Sequence, residues 1–305
     1  MIAANGRAMQ WFAQYFDFPY PWPKLDFVLA PAFPFGGMEH PGAIFYNENS
    51  FIYRERATRP QRIARDATIY HEVAHQWFGD IVTMKWFDDL WLKEGFATYM
   101  AAKMHASIEP AANAWETFYL QNKPSAYAVD RTEGTTPIWQ ALSNLDQAKS
   151  NYGAIVYNKA PGVIKQLNYL VGDSAFRRGL HDYLVKHAYA NATWQDLLSS
   201  VGTAAKRPLE AWGKAYILRP GMPVIDQHLS VRDGALQSLT LVQHPAQQIS
   251  GQGPWPIRTQ VLLRFRDGHE DNLRIELNSD STIARFPAAT AAPEFVFANA
   301  GDNAY

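Results

Sequence analysis

Two histidines four residues apart constrain this chain more than any other feature of its sequence. His71 and His75 enclose Glu72 in the segment HEVAH, inside an apolar pattern that predicts a helix from about Pro60 to Gly79. Residues four apart on a helix share one face and lie roughly 6 Å apart along its axis. Both imidazoles can therefore reach one metal ion, and zinc is the usual occupant of such a site.

A catalytic zinc ion takes three protein ligands and leaves one position open. Glu94 is the candidate for the third ligand. It follows His75 after eighteen residues, in the stretch WLKEGFATYM, which predicts a second helix that starts near Asp88 or Asp89. Glu72 projects beside the ion, where it can take a proton from a water molecule that the ion acidifies. The sequence therefore predicts one zinc ion per chain with a carboxylate base next to it.

The segments around this motif resemble the gluzincin peptidases, the family of aminopeptidase N and leukotriene hydrolase. The matching segments, in the family's order, are PYPWPKLDFV (19–28), GGMEHPG (36–42), HEVAHQWFGD (71–80), DLWLKEGFATY (89–99) and VYNKA (156–160). The resemblance is dense over about residues 10–225 and weaker beyond them. It implies an α+β fold, in which a thermolysin-like, mostly helical zinc peptidase domain is followed by a small β-sandwich domain.

The resemblance implies a role for each residue of the motif. His71, His75 and Glu94 bind zinc. Glu72 is the general base and then the general acid of peptide hydrolysis. Tyr157, in VYNKA, donates a hydrogen bond to the tetrahedral oxyanion.

The loop GGMEHPG is implied to bind the substrate. Glu39 binds the free α-ammonium group of the peptide, which makes the enzyme an exopeptidase. Met38 belongs to the same substrate-binding loop. Gly36 and Gly37 let the backbone lie close to the peptide, as glycine permits.

Three positions depart from the family pattern. Relatives often have Asn where Lys93 and His40 stand. Many relatives carry a Glu where Ala101 stands, and that Glu orients a zinc-binding histidine without binding the ion itself. Another group, which the sequence does not identify, must replace it or the ion binds more weakly. Tyr152, five residues before Tyr157, is a second candidate for the oxyanion role.

Other polar residues have plainer interpretations. Asp88 and Asp89 are interpreted as helix caps rather than catalytic groups. Thr193 and Asp196 are interpreted as a capping-box variant at the start of another helix. The remaining histidines lack ligand spacing and are interpreted as surface or core residues: His40, His105, His181, His187, His228, His244 and His269.

The pattern of the chain changes at ILRPGMPV, residues 217–224. Helical patterns precede this segment, and short alternating runs follow it. Asp-Gly at 233–234 and at 267–268 stands between such runs and is a hairpin signal. We therefore predict a catalytic domain over residues 1–221 and a β-sandwich domain over residues 222–305.

The composition limits the classes of binding partner that the protein can have. The formal net charge is -1 and no basic stripe is present, which argues against nucleic acid. No apolar run approaches the length of a membrane span. Cysteine is absent, so cytoplasm and bacterial periplasm are both compatible and the compartment stays open. The expected partners are a peptide substrate and the large N-terminal and C-terminal domains of a longer parent protein.

Three functions are compatible with these patterns. The first is a zinc aminopeptidase that uses Glu39 to bind the peptide amine. The second is a thermolysin-type endopeptidase, which would share the zinc ligands but would have no use for Glu39. The third is a peptide-binding fragment with weak catalysis, because the flanking domains that complete the cleft are missing.

Overall fold

The computed structural model describes residues 1–288 and 290–305. Helices and small sheets give it the predicted α+β fold. Among the described residues, no helix combines the length and the apolar character that crossing a membrane requires. The α-helices are α1 Ile2–Phe16, α2 Glu48–Phe51, α3 Arg59–His75, α4 Trp91–Ile108, α5 Ala114–Thr117, α6 Lys123–Asp130, α7 Leu145–Asn151, α8 Ala160–Val171, α9 Asp173–His187, α10 Trp194–Ala205 and α11 Glu210–Tyr216.

The strands form small sheets at two ends of the sequence and one short pair between them. The strands are β1 Asp26–Ala30, β2 Gly37–Met38, β3 Ala43–Asn47, β4 Val82–Met84, β5 Ala190–Ala192, β6 Pro223–Arg232, β7 Ala235–Pro245, β8 Ile257–Arg264, β9 Glu270–Leu277, β10 Ser281–Arg285 and β11 Phe295–Phe297. The sheet orders are β1-β3-β2, β4-β5, β10-β7-β6 and β11-β8-β9. In the first sheet β3 runs parallel to β1 and antiparallel to β2.

Helices α3 and α4 pack against each other and carry the two halves of the HEVAH…Glu motif. The start of α3 is fixed by a capping box between Thr58 and Gln61, with Pro60 in the first turn. The helix ends at His75, one turn before Gly79, whose φ of +131° favours glycine. The last turn of α3 is buried from Glu72 to His75, whereas His71 is partly exposed.

A glycine beside the third ligand brings α4 close to the segment that carries Tyr157. A Cβ on Gly95 would lie 2.9 Å from Ala160 Cβ and 3.4 Å from the carbonyl oxygen of Val156. Tyr157 lies in a single π-helical turn, Ile155–Lys159, that runs directly into α8. Such π turns are rare in proteins, and those that occur are often found at functional sites.

The Asp-Gly hairpin predictions are confirmed. The turn between β6 and β7 contains Asp233 and Gly234, with φ of +53° and +77°, and Gly268 has φ of +88° between β8 and β9. These positive values suit the turn types that join twisted strands. Apolar residues of the sheets β10-β7-β6 and β11-β8-β9 belong to the same buried cluster as the helices, and β8 contacts α8. The division of the chain after residue 221 therefore stays a prediction.

The capping prediction for Thr193 and Asp196 is confirmed at α10. The interpretation of Asp88 and Asp89 as caps of the helix they precede is wrong. Helix α4 starts at Trp91 without a side-chain cap, and the carbonyl group of Leu90 accepts hydrogen bonds from the backbone amides of Lys93 and Glu94. Asp89 instead accepts a hydrogen bond of 3.2 Å from the backbone amide of Trp194, at the start of α10.

Candidate metal centre and its cleft

Three donor atoms meet where α3 packs on α4. His71 Nε2 and His75 Nε2 are 3.1 Å apart, and Glu94 Oε2 lies 3.3 Å from the first and 3.2 Å from the second. His75 and Glu94 are buried, whereas the His71 side chain keeps 19% exposure towards the cleft. This nearly equilateral triangle can bind one divalent metal ion and leaves one side of it open.

The other ring nitrogen of each histidine has a partner of its own. His75 Nδ1 lies 3.0 Å from the carbonyl oxygen of Phe78, which requires the hydrogen on Nδ1 and leaves Nε2 free for a metal ion. His71 Nδ1 lies 3.3 Å from Thr98 Oγ1. Thr98 therefore orients His71, whereas Ala101 has no polar group that could do so. Thr98 follows Glu94 by four residues on the same helix face, and this spacing is a sequence signal that could have identified it.

The side chain of Glu72 lies against the backbone of Gly37. A Cβ on Gly37 would come within 2.4 Å of Glu72 Oε1, so only glycine leaves room for this carboxylate. Glu72 is buried, and burial raises its pKa above the ordinary value, although His71 and His75 oppose the shift. A carboxylate with a raised pKa is a better proton acceptor near neutral pH.

The short hairpin of β2 and β3 brings Glu39 to the metal centre. Gly37 pairs with Tyr46 on β3, and Glu39 follows directly after β2. Glu39 is buried, and Glu39, Glu72 and His75 offer atoms that all lie within 4.8 Å of one another. Two acidic side chains thus flank the metal ligands on the side of the loop.

Lys93 also lies in the site, although no role was predicted for it from the sequence. Its ammonium group forms an ion pair with Glu39 and lies 3.4 Å from Glu94 Oε1. Burial disfavours the charged form of Glu39, but His75 and Lys93 together lower its pKa, so its carboxylate is ionised at neutral pH. The pKa of Lys93 is raised by Glu39 and Glu94 against the effect of burial.

Tyr157 faces the same centre from the π turn. Its ring centroid lies 6.3 Å from that of His71. Burial and the neighbouring carboxylate of Glu94 raise the pKa of Tyr157, so its hydroxyl group keeps its hydrogen at neutral pH. Tyr152 is more exposed, and its ring centroid lies 6.3 Å from that of Tyr157.

One cleft of about 1250 Å³ contacts every residue that the sequence assigned to the site. These residues are Gly36, Gly37, Met38, Glu39, His71, Glu72, His75, Glu94 and Tyr157. The cleft continues past the metal centre between α3 and α5, where small apolar side chains such as Ala67, Ala102 and Ala114 line it. His105 also lines the cleft, but among the described residues it joins neither group that could hold a metal ion.

Comparison with known proteins agrees with this geometry. Residues 2–216 match the peptidase family M1 domain. The chain belongs to peptidase family M1. It is 34% identical to aminopeptidase N of Streptomyces lividans over 311 aligned residues, which cover 98% of the chain. It is 33% identical to tricorn protease-interacting factor F2 of Thermoplasma volcanium over 85% of the chain, and 32% identical to leucyl aminopeptidase of Saccharolobus solfataricus over 76%.

Membership in the M1 family confirms the predicted resemblance and the metallopeptidase class. The family is metal-dependent, and the donor atoms of His71, His75 and Glu94 form a group that can hold a metal ion. The chain spans about a third of the length of these M1 relatives, covering 36%, 33% and 29% of them.

Proposed function

We propose that this chain is the catalytic part of a zinc aminopeptidase, which removes the amino-terminal residue of a peptide. The proposal is carried by the closeness of Glu39 to the metal centre, within 4.8 Å of the ligand His75 and of the proposed base Glu72. Successive residues of an extended peptide are about 3.5 Å apart. A peptide amine bound to Glu39 therefore leaves only the first carbonyl group within reach of the centre.

The donor set supports zinc as the ion. Tetrahedral zinc with bonds of 2.0–2.1 Å has ligand atoms about 3.3 Å apart. The three donor atoms of His71, His75 and Glu94 are separated by 3.1, 3.3 and 3.2 Å. Three protein ligands with one open position are typical of catalytic zinc sites rather than structural ones. When bound, the ion would acidify water and polarise the carbonyl group of the scissile bond.

Glu72 is the proton carrier in this proposal. It accepts a proton from the attacking water molecule and passes it to the nitrogen of the leaving amine. Its burial against Gly37 supports both steps, since a raised pKa brings the carboxyl group closer to the pH at which the enzyme works. Glu72 also shares a helical turn with His71 and His75, so its distance from the ligands is fixed by α3.

Tyr157 is the proposed donor to the oxyanion. Its hydroxyl group keeps its hydrogen at neutral pH and lines the cleft beside the ligands. A hydrogen bond from this group strengthens as the carbonyl oxygen gains negative charge, which lowers the energy of the transition state. Tyr152 is the alternative donor, on the same wall of the cleft.

One observation favours the endopeptidase alternative. Lys93 already forms an ion pair with Glu39, so the carboxylate that would bind a peptide amine has a cation beside it. An endopeptidase would keep this pair intact and would cleave peptides whose amine is blocked. We place the aminopeptidase first because a buried carboxylate at this distance from the ligands has no role in endopeptidase chemistry.

The proposal is tested by the release of the first residue from a short peptide, followed by chromatography, before and after removal of the metal with a chelator. We expect activity to disappear with the metal and to return with one equivalent of zinc. Glu72→Gln should keep zinc and lose nearly all turnover, because an amide cannot accept the proton. His71→Ala should lose the zinc itself, whereas His105→Ala, in the same cleft, should keep it. Full zinc occupancy in His71→Ala would contradict the ligand assignment.

A further inference from the structure

Gln76 stands at the junction of the metal-binding helix and the loop that carries Glu39. It is the C-cap residue of α3, directly after the ligand His75, and it is fully buried, with 0% exposure. It lies four residues after Glu72, one helical turn further along the chain. No sequence pattern singles out Gln76, because its partners are more than thirty residues away.

The side-chain amide of Gln76 joins both ends of the turn that follows β2. Its Nε2 donates a hydrogen bond of 3.1 Å to the backbone carbonyl of Glu39, and its Oε1 accepts one of 2.9 Å from the backbone amide of Gly42. Between these two points, the turn closes on itself through a 2.9 Å bond from the Ala43 amide to the His40 carbonyl. One amide group therefore ties residues 39–42 to the end of α3.

The two ends of this turn differ in their further support. On the Gly42 side, the carbonyl group of Gly42 accepts hydrogen bonds from the backbone of Asp26 and from the side chain of Lys24. On the Glu39 side, the bond from Gln76 joins the backbone directly to α3. The Glu39 side chain also pairs with Lys93, so Gln76 is the contact that joins the Glu39 backbone itself to the helix of His75.

We propose that Gln76 is a positioning residue that sets the distance between Glu39 and the metal centre, and thereby the exopeptidase register. The inference rests on the proposed aminopeptidase function and adds a specificity-determining residue to it. A shift of the Glu39 backbone by about 1 Å would move the bound peptide amine, and with it the first carbonyl group, away from the ligands. Misplacement on that scale costs up to about 10²-fold in rate.

Two substitutions separate the two halves of the contact. Gln76→Met keeps the length of the side chain and removes both hydrogen bonds. Gln76→Glu keeps the acceptor for Gly42 and replaces the donor to Glu39 by an oxygen atom, which faces the carbonyl group unfavourably. The matched control is Gln243→Met, since Gln243 is also buried and also bridges backbone groups, donating to Trp255 O and accepting from Trp255 N.

The measurement is kcat/KM for a peptide with a free amine and for the same peptide acetylated at its amine, together with zinc content and the melting temperature. Gln76→Met should lower the ratio of kcat/KM for the free-amine peptide to kcat/KM for the acetylated peptide about 10–100-fold, mainly through a lower kcat for the free-amine peptide, with one zinc still bound. Gln76→Glu should lower the ratio in the same direction. Gln243→Met should lower the melting temperature but leave the ratio unchanged.

The outcomes distinguish the inference from the function on which it rests. If the wild-type protein shows no preference for the free amine, the aminopeptidase proposal fails. If the wild type prefers the free amine and both Gln76 variants keep that preference, the role of Gln76 alone is refuted. If both variants lose zinc or fail to fold while Gln243→Met does neither, Gln76 serves the metal centre or the fold and the register inference is overturned.

Discussion

Gly37 and Glu72 are in such close contact that a side chain at position 37 would overlap the carboxyl group in its observed place. A Cβ there would lie 2.4 Å from Glu72 Oε1 and 2.5 Å from its carboxyl carbon. Because Glu72 is the flexible partner, Gly37→Ala should fold normally and displace the carboxylate instead. We expect kcat to fall about 10²-fold or more, the usual contribution of a general base, with zinc content unchanged.

Gly36→Ala is the matched control for this change. A Cβ on Gly36 would meet only Thr68 Cγ2, at 3.9 Å, which is an ordinary contact. It should therefore leave the Glu72 carboxylate in place and lower kcat on the same peptide much less than Gly37→Ala does. Wild-type kcat in Gly37→Ala would show that Glu72 does not need its observed position.

Thr98 should contribute to metal affinity through His71. Thr98→Val keeps the shape of the side chain but removes the hydroxyl group 3.3 Å from His71 Nδ1. Loss of such a partner typically weakens metal binding 10–100-fold, so the Kd for zinc should rise by at least about 10-fold in competition with a chelator. Thr98→Ser, which keeps the hydroxyl group, should bind zinc nearly as the wild type does. Equal zinc affinity in wild type and Thr98→Val would show that packing alone, and not the Thr98 hydroxyl group, orients His71.

Tyr157→Phe should lower kcat by about 10²–10³, the usual cost of one oxyanion donor, with little change in KM. Tyr152→Phe is the comparison, because both rings lie on the same wall of the cleft and differ in burial. Initial rates over a range of peptide concentrations separate the two parameters. A large loss of kcat in Tyr152→Phe with normal turnover in Tyr157→Phe would move the role to Tyr152.

Glu276 should make stability depend on pH in the acid range. Hydrogen bonds from Arg207 and from Arg258 lower the pKa of Glu276 to about 2, below its unfolded value of about 4.3. A lowered carboxyl pKa stabilises the fold above the unfolded value, and this contribution is lost as the pH falls from about 4 to 2. Because the group is partly exposed, Glu276→Gln should cost only about 1 kcal/mol at pH 7.

The check on Glu276 is denaturant unfolding at several pH values. The difference between wild type and Glu276→Gln should shrink towards zero between pH 4 and pH 2. Glu294→Gln, which removes an exposed carboxylate 3.6 Å from Arg266, serves as the control and should change little at any pH. A difference for Glu276→Gln that does not vary with pH would assign its effect to packing.

Local spacing explains which parts of the site could be predicted from the sequence. His71, His75 and Glu94 were predictable because helical periodicity alone brings the histidines to one face and the family pattern supplies the carboxylate. The two hairpins were predictable because Asp-Gly favours the positive φ values that such turns need. The histidine pair and the hairpins depend on residues that are close in the chain, whereas Glu94 lies on a second helix and was identified through the family pattern.

The remaining features depend on contacts between distant segments. Lys93 pairs with Glu39, and Gln76 holds the Glu39 loop, across intervals that no periodicity describes. The packing of Gly37 on Glu72 also joins distant segments. The sequence therefore predicted a glycine-rich substrate loop, but not that Gly37 is needed to leave room for Glu72. The π turn at Tyr157 has no sequence signature of its own, because it differs from an α-helix by one inserted residue.

The role of Glu39 is tested most directly by one comparison: kcat/KM for a free-amine peptide and its acetylated counterpart, on wild type and Glu39→Ala. Removal of either partner of a buried, hydrogen-bonded charge pair weakens binding by about 2–5 kcal/mol. We therefore expect Glu39→Ala to keep zinc, to lose about that much transition-state stabilisation for the free-amine peptide, and to cleave the acetylated peptide as slowly as the wild type does. If the wild type cleaves the acetylated peptide as fast as the free one, Glu39 does not bind the peptide amine and the endopeptidase alternative takes its place.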